Sequence, residues 1–420
     1  MYLLLLVAAG FAIWGPKVGG YLDLMVLVPA ALLILFAGSG RVVVPVRFYV
    51  VSASIASLIA IWVGMSILIN GSLDPQGVLR SVRGLVTLLV LVPMFYMAAS
   101  RQIVSKGVAF WLLVIALFFN TAAIYAQVLY VPLQDVMAPL WGFDKPIREV
   151  RAFGLTAGYD SAGYLAALLA ASALSASLVF RSWGWFFFFI VCAGAVGFTS
   201  RTSMLVLGGL VVVVFGLSKA DWRGNGVRLL VLALGGVVAV GWYVLPRVSA
   251  GVSELAGLSA HDGHDYSSHY ATTSLVDVLD RMAVLPQEFA TWVIGSGLIV
   301  PWSDIGYIRV LHLGGVPLLA LMFFFYGYLF WMSRSSGKRL LKSSGVILTE
   351  ERWLRVWLVV LLSLLLVMFL GNLKNLYFIT RGYHEVFIIV VALMLGFHKG
   401  RAVSGRAGGI ARDCRGCGVA

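Results

Sequence analysis

Twelve stretches of this chain are nearly free of charge for about as long as an α-helix needs to cross a bilayer, and no other feature narrows the possible folds so far. They lie near residues 2–14, 19–38, 48–69, 84–99, 108–131, 159–180, 183–199, 203–218, 228–246, 310–332, 355–371 and 383–398. The hydrocarbon layer is about 30 Å thick, which takes roughly 20 apolar residues in helical form. Backbone amides find no water there, so such a run must close its own hydrogen bonds as a helix. Composition agrees, with 61% of residues hydrophobic and 12% charged, where a soluble domain carries roughly 25% charged residues. The expected fold is all-α: a polytopic transmembrane helical bundle of about 12 spans, one domain over residues 1–398, followed by a basic tail, 399–420, without structure of its own. The opening "MYLLLLVAAGFAIWGPKVGG" lacks a basic leader and a small-x-small cleavage site, so it reads as a retained first span.

Twelve crossings return both chain ends to one side, and charge says which. One set of alternate loops, with the tail, holds 19 of the 31 basic residues and four of the 18 acids, a net charge of +15; the other set is left with −2. Lys and Arg gather on cytoplasmic loops, so both termini are expected in the cytoplasm. Segments near 131–160, 246–309 and 371–385 then face outward. The formal net charge of +13 reads as topology, and no basic stripe with interleaved aromatics argues for nucleic acid.

The loop at 246–309 is far longer than a turn requires, and long ordered loops commonly carry function. Within it, "SLVDVLDRMAVLPQEFATW" sets Leu275, Val278, Met282, Leu285, Phe289 and Trp292 at three- and four-residue steps, with Asp277, Asp280, Arg281 and Glu288 off that stripe. This predicts an amphipathic helix on the membrane surface, kinked at Pro286. "HDGHDYSSH", residues 261–269, is rich in His and Asp but has no helical frame, so it reads as a solvated acidic loop rather than a metal site. Cys414 and Cys417 form a lone C-x-x-C, half a zinc site, and Cys192 sits in an apolar run. No G-x-x-x-x-G-K-[ST], G-x-G-x-x-G or G-x-S-x-G element supports ATP-driven or serine-hydrolase chemistry.

The middles of the runs hold almost no ionisable residue and no internal repeat is visible, whereas ion-coupled transporters keep charges near the midplane. Polar groups gather instead at the outer ends: Asp160, Arg201, Asp304, Arg309, His312, Lys374, Arg381, His384 and Glu385. That distribution points to a site at the outer face. Arg201, in "GFTSRTSML", lies in a turn too short to leave the interface, where a guanidinium meets either a substrate anion or a lipid headgroup. In "REVRAFGLTAGYDSAGYLA", Arg148 and Arg151 precede Gly154, Gly158 and Gly163, small residues that admit a close neighbour; the arginines suit phosphate, or pair with Asp144 and Glu149. "WSDIGYIRVLHLGG" puts Asp304, Arg309 and His312 at the lip of the tenth run, where Asp304 can also simply pair with Arg309.

Taken in chain order, "VRAFGLTAGYDSAG", "TSRTS", "RMAVLPQEFATWVIGSG" and "WSDIGYIRVLHLGGVPLLAL", over about 151–330 and with twelve spans and a large late loop, resemble the O-antigen polymerase and O-antigen ligase superfamily. The resemblance implies a GT-C-like integral-membrane glycosyltransferase acting on undecaprenyl-diphosphate-linked sugars at the outer face of the bacterial inner membrane. In such a reaction an acceptor sugar hydroxyl attacks the donor anomeric carbon and undecaprenyl diphosphate leaves, without metal or other cofactor. By the same resemblance Arg151 is similar to the arginine before a glycine-bearing helix start, Arg201 to a Ser-Arg turn, and Arg281 to the large-loop arginine ahead of Gly295 and Gly297. These would neutralise the departing diphosphate, with Arg309 and Arg381 in reserve. Asp304 would serve as the base, oriented by His312. Ser303-Asp304 stands where ligases have His-Asn, which favours a repeat-unit polymerase for an O-antigen-like polysaccharide over a ligase. A lipid-linked-oligosaccharide flippase is the rival from another class. Implied partners are the lipid-linked oligosaccharide, membrane lipid and a chain-length regulator, with no nucleic acid. Sugar identity, linkage and stereochemistry stay open.

Overall fold

The computed structural model describes residues 1–18, 22–38, 42–72, 76–141, 151–156, 158–217, 284–300, 305–342, 348–373 and 382–413. The chain opens with α1 (Tyr2–Trp14), a short antiparallel ribbon of β1 (Lys17–Val18) and β2 (Leu22–Asp23), and α2 (Leu24–Gly38). There follow α3 (Val46–Ile69), α4 (Gln76–Ser100), α5 (Lys106–Leu129), α6 (Pro132–Trp141), α7 (Tyr159–Phe180), α8 (Trp183–Gly197) and α9 (Arg201–Leu217). The last part holds α10 (Phe289–Ile294), α11 (Gly306–Lys342), α12 (Leu348–Gly371) and α13 (Tyr383–Asp413). Among the described residues seven helices, α3, α4, α5, α7, α11, α12 and α13, are long and apolar enough to cross a membrane, and α1, α2, α8 and α9 are shorter apolar helices. The protein is a polytopic helical membrane protein. Eleven of the twelve expected runs therefore fall on these helices; the run near 228–246 lies outside the described residues.

Successive spans alternate in direction, so the bundle has two distinct ends. At the tail end, Lys106 pairs with Glu350, Trp357 Nε1 donates to Lys106 O at 3.0 Å and Gln102 Nε2 to Gly400 O at 3.2 Å. The opposite, mouth end gathers the starts of α4, α7, α9 and α11 and the finishes of α3, α5, α8 and α12. At the centre stands α7, whose residues from Ser161 to Leu178 are all buried. Its Ala- and Ser-rich sequence explains this: small side chains let neighbouring backbones close in where no hydrophobic effect drives association. A Cβ on Gly163 would sit 2.2 Å from Thr199 Oγ1 and 2.3 Å from Ser203 Oγ, so α9 rests directly against this glycine.

Four boundaries differ from expectation. The second run begins only at Leu24, because Leu22–Asp23 pairs with Lys17–Val18 as the ribbon. Helix α4 starts at Gln76, two turns before residue 84. Helix α13 continues to Asp413, into the segment expected to lack structure. The amphipathic helix is not continuous through Pro286: residues 284–288 are extended or bent, and only Phe289–Ile294 is helical. Proline disfavours helical geometry in the residue before it, and residues 274–283 lie outside the described set.

The span expected near 310–332 is broken. Gly314 (φ −153°, ψ 18°) and Gly315 (φ 70°, ψ −169°) leave helical geometry, and Pro317 opens the second piece. A break strands carbonyls that water cannot reach. Here His312 O accepts from Ser296 N (2.5 Å) and Ser296 Oγ (2.9 Å), Leu313 O from Ser66 Oγ (2.7 Å) and Gly314 O from Trp62 Nε1 (2.7 Å). Ser66 and Trp62 share one face of α3 at i, i+4. Gly295 and Gly297 dock the end of the large loop onto this break, with Asn70 Nδ2 donating to Gly295 O at 3.1 Å and Ser72 Oγ to Gly297 O at 3.1 Å.

Candidate functional site

Two polar clusters form toward the mouth end. The first is built by α5, which turns buried Asn120 and Gln127 toward residues 151–156. Gln127 Oε1 accepts from Phe153 N and Gly154 N, both at 3.0 Å, and its Nε2 donates to Gly154 O at 2.8 Å. Asn120 Oδ1 accepts from Leu155 N at 3.0 Å, while its Nδ2 donates to Ala162 O at 3.0 Å. Gly154 has φ +56°, and a Cβ there would lie 2.1 Å from Asn120 Oδ1, so glycine is required twice over.

This frame presents Arg151, whose carbonyl accepts from Gln134 Nε2 at 3.1 Å and whose guanidinium lies 6.0 Å from the centroid of the Tyr159 ring. Ala152 N donates to Phe198 O at 2.8 Å, which places Arg151 beside the turn that leads into Arg201. Arg201 opens α9 behind Ser200, whose Oγ caps the helix by accepting from Ser203 N at 3.2 Å. The backbone thus brings Arg151 and Arg201 to one corner; the Arg201 side chain is outside the described set.

Arg309 and His312 stand elsewhere, on the first piece of α11. Tyr307 holds that piece to α12, its amide donating to Asn372 O at 3.3 Å and its hydroxyl to Phe369 O at 2.6 Å. His312 is half-buried, and its Nε2 donates to Val284 O at 3.3 Å, so it tethers the end of the large loop. Arg281, Asp304 and Arg381 lie outside the described residues, as do Cys414, Cys417 and the 261–269 segment.

The second cluster joins His384 and Glu385, which the sequence already sets at an outer end, to Arg80, Arg83 and Tyr326, which it does not single out. Helix α13 begins after Gly382 (φ +91°), and Glu385 in its first turn accepts from the Gly382 amide with Oε2 at 2.6 Å, the reciprocal half of a capping box. Glu385 is 1% exposed, and its Oε1 has no hydrogen-bond partner among the described residues. His384 Nε2 donates to Gly84 O at 3.1 Å, which leaves Nδ1 of the neutral ring to accept from Tyr326 O–H at 2.8 Å. Gly84 is what admits the ring, since a Cβ there would meet Nε2 at 3.3 Å. Arg83 and Glu385 both lie within electrostatic reach of Tyr326 and His384.

Between these groups is a pocket of about 30 Å³, lined by Arg80, Ser81, Arg83, Tyr326 and His384 with apolar walls from α3 and α11. An occupant the size of one water needs roughly 10–15 Å³ of such volume, so the space suits a few polar atoms and not a sugar ring. It is also recessed: Gly84 follows Gly77 by seven residues, roughly 10 Å of helical rise, and Gly77 is level with Leu313, whose Cδ1 would lie 2.8 Å from a Cβ there. His384 and Glu385 lie in the first turn of α13, at an outer end as expected, whereas Arg80 and Arg83 fall within the first two turns of α4, a helix whose start was expected only at residue 84. The two arginines depress the local hydropathy, which sets the apparent start of the fourth run at residue 84. Their spacing in "QGVLRSVRG", at i, i+3 with a glycine next, was the available signal.

The clusters adjoin. Tyr164 of α7 and Tyr383 of α13 meet edge-to-face with centroids 6.3 Å apart, and Asp160 and Thr202 lie within electrostatic reach of the Tyr164 hydroxyl. Among the described residues no group of three His, Cys, Asp or Glu side chains is arranged to hold a metal ion.

Compared with known proteins, the chain matches no protein-family model and no curated sequence. Among solved structures it is similar to a chain of the one described as "Structural coordination of polymerization and crosslinking by a peptidoglycan synthase complex", at 20% identity and a TM-score of 0.40, covering 83% of this chain and 97% of that one. Overlap of that degree assigns neither fold nor activity.

Proposed function

We propose that this protein is a membrane glycosyltransferase that joins undecaprenyl-diphosphate-linked oligosaccharide repeat units into a surface polysaccharide at the outer face of a bacterial inner membrane. The observation that carries the reading is the pair of adjoining polar clusters, one presenting Arg151 beside the Arg201 turn and the other Arg80 and Arg83, at the mouth end of an otherwise apolar bundle. Guanidiniums match phosphate oxygens in forked pairs and act strongly where water is scarce. Charged side chains within a span mark functional sites as a rule.

In this reading the acceptor hydroxyl attacks the donor anomeric carbon, the bond to undecaprenyl diphosphate breaks, and the departing diphosphate is neutralised by Arg151, Arg201 and Arg281, with Arg309 and Arg381 in reserve. Asp304 takes the hydroxyl proton, with His312 close in sequence to orient it. The diphosphate linkage supplies the driving force, so no nucleotide is required. Net positive charge on the tail-end loops supports the cytoplasmic placement of both termini.

The break in α11 and the recessed charges favour a second reading, a lipid-linked-oligosaccharide flippase, since transporters use broken helices and buried ions. One experiment separates the readings. Purified protein in liposomes receives a synthetic undecaprenyl-diphosphate repeat unit, and product size and lipid sidedness are followed together. A ladder that disappears in Asp304→Ala while the protein stays inserted supports the polymerase. A single transfer to a separate acceptor identifies a ligase; translocation with no new glycosidic bond identifies the flippase.

A further inference from the structure

A donor whose diphosphate lies at Arg151 has a long polyprenyl chain still to place, and the lipid face below that corner is shaped for one. Helices α5 and α8 both pack on α7. Aromatic rings close the seam between them in its tail-end half: Trp111 meets Trp185 with centroids 4.6 Å apart, and Phe118 meets Phe188 at 5.6 Å. Toward the mouth the seam becomes a shallow furrow. Here α5 presents Ala122 and Ala126, α8 presents Gly194 and Gly197, and nothing lies within 4 Å of a Cβ at Gly197. Tyr125 forms the floor, its hydroxyl donating to Val191 O at 2.6 Å and its ring centroid 5.9 Å from that of Phe198. From Phe118 to Leu129 helix α5 rises about 16 Å, roughly one leaflet of a hydrocarbon layer about 30 Å thick.

The furrow ends at a cation. Phe198, its topmost ring, accepts from Ala152 N through its carbonyl at 2.8 Å. The neighbouring Arg151 guanidinium lies by the Tyr159 ring, and among the described residues no carboxylate pairs with it. Helix α6 shows that lipid reaches this level. Its Gln134 is 1% exposed and bonded to Arg151 O, whereas Pro132, Val136 and Leu140, at four-residue steps, are exposed, Val136 by 67%. Asp135, its one charged residue, is exposed as well. A short helix that buries its amide and shows an apolar stripe beside a charge lies in the membrane interface. We propose that the furrow between the outer halves of α5 and α8 holds the polyprenyl chain of the donor lipid, with the diphosphate on Arg151 at its head. Charge complementarity selects this occupant: the head of the furrow offers a guanidinium to a polyanion, and the furrow itself offers only apolar surface. The inference rests on the transferase reading and adds the path by which donor enters and spent carrier leaves, sideways through the outer leaflet.

The test is photo-crosslinking of radiolabelled undecaprenyl diphosphate to the full chain in phosphatidylcholine nanodiscs. The photoreactive p-benzoylphenylalanine replaces Phe118 or Phe198, exposed rings at the two ends of the furrow, or Ile61, exposed on the lipid face of α3. Every variant is checked for folding by size-exclusion and melting. Saturable labelling is expected from positions 118 and 198, about tenfold or more above that from position 61. Arg151→Gln is expected to lower it by about tenfold or more, the loss of one charge-assisted hydrogen bond. Gly197→Phe, which fills the furrow in open space, is expected to lower labelling from position 118 to the same degree, and Gly208→Phe on α9, equally open, to leave it unchanged. Equal labelling from position 61, or labelling that ignores either Arg151→Gln or Gly197→Phe, overturns the proposal. So does displacement by phosphatidylglycerol at equal mole fraction, which would make the furrow a general phospholipid site. Wild type with no saturable binding of undecaprenyl diphosphate removes the transferase reading itself.

Discussion

Replacing Gly295 by alanine should free the end of the large loop from the bundle, and the structure sets the size of the effect. Gly295 holds φ +82° and ψ 178°, a region in which a side chain costs about 1–3 kcal/mol. Its Cβ would land 2.5 Å from Gly314 N, 2.6 Å from Gly314 Cα and 2.7 Å from Leu313 C, where ordinary contacts are about 3.5–4.0 Å. All three neighbours are backbone, so no rotamer change relieves the overlap; the loop must lift. Lifting it gives up the two Ser296 bonds to His312 O and the Asn70 bond to Gly295 O, each worth roughly 0.5–1.5 kcal/mol. Those bonds are lost on lifting in wild type as well, so the shift is set by the strain in the docked form, about 1–3 kcal/mol before the overlap is counted, which raises the undocked fraction roughly 5- to 150-fold or more. Limited proteolysis and hydrogen exchange across residues 284–300 report that fraction directly. Gly64→Ala is the control, since nothing lies within 4 Å of a Cβ there and alanine is the better helix former by roughly 0.5–1 kcal/mol. Wild-type protection of 284–300 in Gly295→Ala would refute the reasoning.

Gln127→Leu strands the amides of Phe153 and Gly154 and the carbonyl of Gly154, at about 1–3 kcal/mol for each buried group; exchange in 151–156 should rise sharply, and unchanged protection there counts against the anchoring role. Gly163→Leu forces α9 from α7 and should lower the melting temperature or abolish a folded product, whereas Gly10→Leu, with nothing within 4 Å of its Cβ, should not; equal effects would contradict the packing described. Lys106→Met removes the ion pair with Glu350, whose side chains are 13% and 35% exposed, and should cost no more than about 1 kcal/mol; a loss of several kcal/mol in a denaturant or thermal melt would make this pair central to the tail end.

The spans were legible because hydrocarbon imposes one requirement on every crossing segment, and the apolar runs record it. Two kinds of information were not. The depth of a helix start depends on its neighbours: α4 begins two turns early because α11 and α13 pack against its first turns, and the hydropathy of "QGVLRSVRG" cannot report that packing. Anchoring partners were equally hidden, since Asn120, Gln127, Ser66 and Trp62 look like incidental polar residues in apolar runs until the backbone groups they satisfy are in place. The break in α11 is intermediate. Gly314, Gly315 and Pro317 announce a discontinuity in the sequence, but only the docked loop explains why the freed carbonyls are tolerated. Of the seven site residues inferred from the sequence, Arg151 and the backbone of Arg201 meet at one corner, Arg309 and His312 stand on α11, and Arg281, Asp304 and Arg381 fall outside the described residues.

The break also divides the candidate site into parts that respond differently to the same perturbation. Above it, the short piece of α11 carries Arg309 and His312 and is held by Ser296, Tyr307 and the loop end. Below it, Met322, Phe325 and Tyr326 line the recessed pocket, and Tyr326 is fixed independently by His384, itself bonded to Gly84. Displacing the loop through Gly295 therefore disturbs Arg309 and His312 while the Tyr326 to His384 to Gly84 chain stays closed. Gly295→Ala should therefore raise hydrogen exchange across residues 284–300 and in the first piece of α11, while exchange around Gly84 of α4 and His384 of α13 keeps its wild-type protection. A rise in both regions in step would mean that the break does not insulate the pocket from the loop.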